Sequence, residues 1–240
     1  MKFRVDYSLR DIDRVFRIFL GIDFFLAIAF LVIHIFAADI SLGPFLFWFD
    51  LDSDSSIPCW YSSIKLFLVA CCIFIAAQNN LYERYLSSSW LYCSGFFFLF
   101  LSMDEAAKIH ERLTGVAKTL KLDWLLIRGH GAWIILYGIL AFCLLLLSIG
   151  YLKKMWRYFR DETTKAFAGF LILVLGSVVF EVFGYFFLRS DLTSAAYKIG
   201  VMIEESLEMV GVSIILYSMM LLSMKLASKN TPHNSSSRLT

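Results

Sequence analysis

Charge is scarce in this sequence: Asp, Glu, Lys and Arg together make up 18% of its 240 residues, against roughly a quarter in soluble domains. The formal net charge is only +2, and the basic residues are scattered, so a nucleic-acid partner is excluded. Proline is nearly absent. Pro44, Pro58 and Pro232 are the three present, and none falls inside a long apolar run, which predicts uninterrupted helices. The five cysteines, Cys59, Cys71, Cys72, Cys93 and Cys143, form no C-x-x-C pair, which argues against a disulfide framework and a thiolate zinc site. H-E-x-x-H, paired E-x-x-H, G-x-S-x-G and P-loop signatures are missing as well.

What fills the chain is apolar: 59% hydrophobic residues and a mean hydropathy of +0.70. Stretches long enough to cross a bilayer, about 20 residues each, occur at 16–38, 62–79, 90–109, 132–152, 166–188 and 195–224. The expected fold is therefore all-α: a polytopic transmembrane helical bundle of six spans, one domain over residues 1–225, followed by a polar, disordered tail at 226–240. No small-residue cleavage site follows the first run, so it is expected to be a retained span. Lys and Arg fall fourteen to eight in favour of the side holding the N-terminus, which places both termini in the cytoplasm and the protein in a cell inner membrane.

With that topology the ionisable residues of the spans gather at the outer level. An acid or imidazole at membrane depth costs several kcal/mol unless it faces a partner or a wet cavity. The box S-M-D-E-A-A-K-I-H-E at 102–111 continues the third run. On a straight helix Asp104, Lys108 and Glu111 share one face, while Met103, Ala107 and His110 share another. Its plain reading is an interfacial helix end with Lys108 paired to its neighbours; the functional one turns His110 and the carboxylates inward.

Glu204, Glu205 and Glu208 form an E-E-x-x-E turn in which three like charges cannot all stay ionised in a low dielectric, so at least one is protonated or shares a cation. Glu181 stands alone among Val178, Val179, Phe180, Val182 and Phe183. It is either a packing glutamic acid bonded across helices or part of the same site. Arg189 and Lys198 are available to neutralise part of this set. Asp23, in the first run, is expected to be satisfied by Arg17 or by the interface, and His34 and His130 by hydrogen bonds. The loop acids Asp50, Asp52 and Asp54 alternate as in a calcium loop, yet Ser55 and Tyr61 stand where an EF-hand needs Gly and Glu, so that motif fails.

Three blocks, at 49–63 (FDLDSDSSIPCWYSS), 101–111 (LSMDEAAKIHE) and 204–211 (EESLEMVG), resemble a family of bacterial multi-pass membrane proteins to which no activity is attached. Cys59 occupies a position where threonine is expected. The resemblance implies a membrane location and no particular chemistry.

Taken together, these residues predict an outward-facing pocket lined by Asp104, Glu105, His110, Glu111, Glu181, Glu204, Glu205 and Glu208. Hard carboxylates with imidazole suit a divalent metal, namely zinc, iron or manganese, with Asp104, His110, Glu181, Glu204 and Glu208 as ligands. Glu105, Glu111 and Glu205 are then left for acid–base work in hydrolysis of a lipid-borne or small-molecule substrate. The rivals are a proton- or cation-coupled transporter, for which a repeat and broken helices are wanting, and a membrane assembly subunit whose polar cluster specifies packing. The lipid bilayer is the one implied partner, and homo-oligomerisation stays open.

Overall fold

A long apolar segment in lipid must satisfy its backbone internally, and a helix does this within one segment. The structure, a computed structural model, describes residues 8–36, 47–53, 55–80, 85–127 and 129–229, and among these seven main helices and no β-strand occur. They are α1 (Leu9–Leu31, ending in a π turn, Val32–Phe36), α2 (Ile57–Asn79), α3 (Ser88–Ala107), α4 (Ile109–Thr119), α5 (Ala132–Tyr158), α6 (Arg160–Val174) and α7 (Ala195–Lys229). Beyond Val174, α6 runs on through a π segment, Leu175–Phe180, one helical turn, Glu181–Phe183, and a second π segment, Gly184–Leu188.

Local chemistry sets the starts. Ser8 and Asp11 form a reciprocal capping box for α1; Ser56 caps α2 by accepting from the Cys59 amide, and Ser87 caps α3 through the Trp90 amide, each satisfying an orphan donor of the first turn. Among the described residues, five helices are long and apolar enough to cross a membrane: Leu9–His34, Ile57–Asn79, Ala132–Tyr158, Arg160–Leu188 and Ala195–Ser228. The run expected as a third crossing forms α3, which carries Ser, Asp and Glu among its 20 residues and falls outside that set.

α7 is the hub, packed against α1, α2 and α6. Along α6 the approach is backbone to backbone: a Cβ on Gly211 would lie 2.6 Å from the Leu173 amide nitrogen, and one on Gly169 would lie 2.7 Å from the Gly211 carbonyl oxygen. Only a residue without a side chain allows that spacing. α3 lies antiparallel on α2, with Ser63 beside Ser102 at one end and Asn80 bonded to Ser88 at the other. It also runs antiparallel to α5, from Trp90 against Ser148 to Phe100 against Tyr137. α5 is the outlying wall: only Ala132 and Met155 of its residues are buried, and Leu147 is 75% exposed, a face made for lipid.

One sequence expectation fails here: Asp23 is satisfied neither by Arg17 nor by the interface. Lys65 is fully buried between α1, α2 and α7, where its Nζ donates to Asp23 Oδ1 at 2.7 Å, to the Met209 carbonyl at 2.7 Å and to Ser213 Oγ at 3.3 Å. Tyr61 OH donates to Asp23 Oδ1 at 2.8 Å and Ser213 Oγ to Oδ2 at 2.6 Å. A charge pair taken from water persists only when its remaining valences are met in this way. At the far end of the chain, α7 continues to Lys229, past the boundary expected at 225; the tail at 230–240 lies outside the described residues.

Candidate functional site: a polar cavity with an apolar floor

The expected helix through residues 90–109 does not run straight. It stops at Ala107, Lys108 takes a left-handed conformation at φ 51°, and α4 begins at Ile109. A non-glycine residue held there marks backbone strain that the surroundings must offset. The consequence is geometric: Asp104 and His110, placed on different faces by helical spacing, meet across the break. The His110 amide donates to Asp104 Oδ1 at 2.8 Å, and its ring Nδ1 lies 2.9 Å from Oδ2. Because a carboxylate only accepts, Nδ1 carries the proton. Tyr137 OH, from α5, completes the set by donating to Oδ1 at 3.2 Å. Burial works against an imidazolium at His110, but the hydrogen bond and charge of Asp104 outweigh it and hold its pKa above the usual range.

The break also swings Lys108 inward, where Nζ lies 4.0 Å from Glu105 Oε1 and 3.8 Å from Glu111 Oε1. Asp104, Lys108 and Glu111 thus do not form the single helical face that spacing predicts. Next to them Cys59 donates its thiol to the Glu105 carbonyl at 3.5 Å.

From α6 comes Glu181, on the regular turn between the two π segments, a distortion that recurs at functional positions in helices. Its carboxylate accepts from Tyr185 OH and, through both oxygens at 3.2 Å, from Arg189 Nη2. The Arg189 guanidinium lies over the Tyr185 ring. Sequence reasoning offered Arg189 to the glutamates of the last span; it serves Glu181 instead. α7 presents Glu204, Glu205 and Glu208, and it can do so against α6 because Gly176 leaves room: a Cβ there would lie 2.8 Å from the Glu204 carbonyl oxygen and 2.9 Å from Glu208 Cγ.

All eight residues of the expected pocket, Asp104, Glu105, His110, Glu111, Glu181, Glu204, Glu205 and Glu208, line one cavity of about 260 Å³. Much of the rest of its lining is apolar: Phe97, Phe100 and Leu101 of α3, Leu140 and Ala141 of α5, and Phe170, Leu173 and Val174 of α6. At the polar end it shares Asp52, Glu111, Glu181, Arg189 and Tyr197 with a wider polar depression that also includes His130 and Ser55.

Of the remaining candidates, Asp52 and His130 line this rim. Asp52 accepts from Tyr197 OH at 3.0 Å, His34 Nε2 lies 3.6 Å from Asp50, and Asp54 is outside the described residues. His130 stacks on Tyr185, and partial burial together with the positive Lys118 and Arg189 holds its pKa below the usual range.

The acids differ in what compensates them. Asp104 has His110 and Tyr137, Glu181 has Tyr185 and Arg189, and Glu105 and Glu111 share Lys108. Glu205 and Glu208 have no hydrogen-bond donor among the described residues, and Lys108 is a cation that acts on both electrostatically. No group of three or more His, Cys, Asp or Glu among the described residues is arranged to hold a metal.

Tyr137, Tyr185 and Tyr197 escaped sequence reasoning. For Tyr185 a signal existed, since it falls one turn after Glu181 and one before Arg189. The other two come from distant elements and carry no local signal.

A family model described as a domain of unknown function (DUF8692) matches residues 22–224, and the chain belongs to that family. Neither a curated protein nor a solved structure matches it.

Proposed function

We propose that this DUF8692 member is a six-span membrane protein whose polar cavity binds a positively charged ligand on the side away from the cytoplasm. The sixth span in this reading is α3. Its 20 residues rise about 30 Å, the thickness of a hydrocarbon core, and it runs antiparallel to both α2 and α5. Both chain ends then share one side, and the distribution of Lys and Arg makes that side cytoplasmic.

The observation that carries the reading is the surplus of uncompensated acid: Glu205 and Glu208 line the cavity without donors while its cations, Lys108 and Arg189, are engaged by other carboxylates. A carboxylate in a low dielectric needs a cation or a proton, and a guest bearing positive charge supplies what the chain does not. An ammonium group can accept the cavity as built, because it needs hydrogen-bond acceptors and no fixed coordination. A zinc, iron or manganese ion would have to draw Glu205, Glu208 and His110 together first. Were such an ion bound, it would acidify a water for hydrolysis of a lipid-borne substrate, with Glu111 as the base.

Metal analysis of the purified protein, with titration by zinc, manganese and ethylammonium, tests the reading. Binding that disappears in Glu205→Gln/Glu208→Gln supports it; wild type that takes up none of the three refutes it. The transport alternative gains one observation, the irregular stretch of α6 around Glu181, and requires ion flux in proteoliposomes that Glu181→Gln abolishes.

A further inference from the structure

The polar end of the cavity is half of it. Phe97 lies two turns below Glu105 on α3, and Ala141 lies two turns below Trp133 on α5, so the lining continues for about 12 Å along the helix axes towards the middle of the bundle, with mostly apolar side chains beyond Tyr137 and Ser177. A site for a small inorganic ion has no use for that floor. At about 260 Å³ the cavity is at the small end of ligand pockets, a size for one alkyl chain and a compact head group. Its wall towards lipid is α5, the span with the fewest buried residues.

Resting on the cation reading above, we propose that the ligand is a single-chain amphiphile with an ammonium head group, its nitrogen between Glu205 and Glu208 and its chain along Phe97, Phe100, Ala141 and Phe170. Charge selects the head: the lining holds eight acids against Lys108, Arg189 and His110, so a carboxylate or sulfate head is repelled and an alcohol leaves the two glutamates uncompensated. The floor selects the chain, since each buried methylene adds about 0.8 kcal/mol, or about fourfold in affinity from water.

The test uses the full chain in lipid nanodiscs, with dodecylammonium, dodecanol, dodecanoate and ethylammonium as probes, and thermal unfolding against probe concentration as readout. Dodecylammonium is expected to raise Tm and the other two twelve-carbon probes to leave it unchanged. Glu208→Gln is expected to weaken dodecylammonium by about tenfold or more. Ala141→Trp, which fills the floor and touches no carboxylate, is expected to weaken dodecylammonium to a similar degree and to leave ethylammonium unaffected.

Dodecanol or dodecanoate matching dodecylammonium overturns the proposal, as does unchanged dodecylammonium affinity in Ala141→Trp. Ethylammonium binding as tightly as dodecylammonium overturns it while sparing the cation reading. Failure of every ammonium and every metal ion to bind removes both.

Discussion

Asp104 and His110 face each other at 2.9 Å across the left-handed turn at Lys108, although they stand six positions apart in the chain. Because the pKa of His110 is raised in the folded protein, the pair's contribution to stability is complete below the unfolded histidine value, about 6.5, and is lost as pH rises through the folded value. Wild type should therefore exceed His110→Gln in stability by about 1.5–3 kcal/mol at about pH 5.5, the range of a hydrogen bond to a charged group, and the gap should shrink on raising the pH. A gap in unfolding temperature that widens with pH would contradict this.

Lys65 and Asp23 are 0% and 2% exposed, so neither charge can be left without the other. Lys65→Met should cost about 3–5 kcal/mol by stranding the aspartate, and Lys65→Met with Asp23→Leu should recover most of the loss. Chemical denaturation of the two singles and the double measures the coupling; additive losses would show that the pair is not a unit.

Gly211 meets the Leu173 backbone, whereas Gly138 on the lipid side of α5 has nothing within 4 Å of where a Cβ would go. Gly211→Val should cost about 1–3 kcal/mol or more through overpacking. Gly138→Ala should be neutral or stabilise by up to about 1 kcal/mol, since alanine is the better helix former. Equal effects at the two positions, read by thermal unfolding, would deny that the α6–α7 seam is the tight one.

If α3 crosses the bilayer, Ser89 at its start and Lys121 beyond α4 lie on opposite sides. With the five native cysteines replaced, Ser89→Cys should react with an impermeant thiol reagent from the cytoplasmic side and Lys121→Cys from the other. Labelling of both from one side would reduce the spans to five.

The helices and the clustering of acids at one end were legible because both follow from hydropathy and helical rise, which are properties of neighbouring residues. Lys65 shows where that stops. A lysine at the start of an apolar run reads as an interfacial residue, and only the rotation of α2 against α1 and α7 turns it onto Asp23. The break at Lys108 was hidden for a related reason: no Gly or Pro punctuates A-A-K-I-H, and the turn exists through its tertiary partners, Asp104 reaching His110 and Tyr137 reaching Asp104. Glu181, by contrast, advertised itself, since a lone acid in a valine and phenylalanine segment needs a partner, and Tyr185 and Arg189 were within two helical turns.

The seam at Gly169, Gly176 and Gly211 has a mechanical consequence. Two backbones in direct contact cannot slide or roll without collision, so the glutamates of α7 keep a fixed position relative to α6 whatever the bundle does. α5, by contrast, has only Ala132 and Met155 buried, so the acidic wall is the rigid side of the cavity and the outer helix the loosely held one.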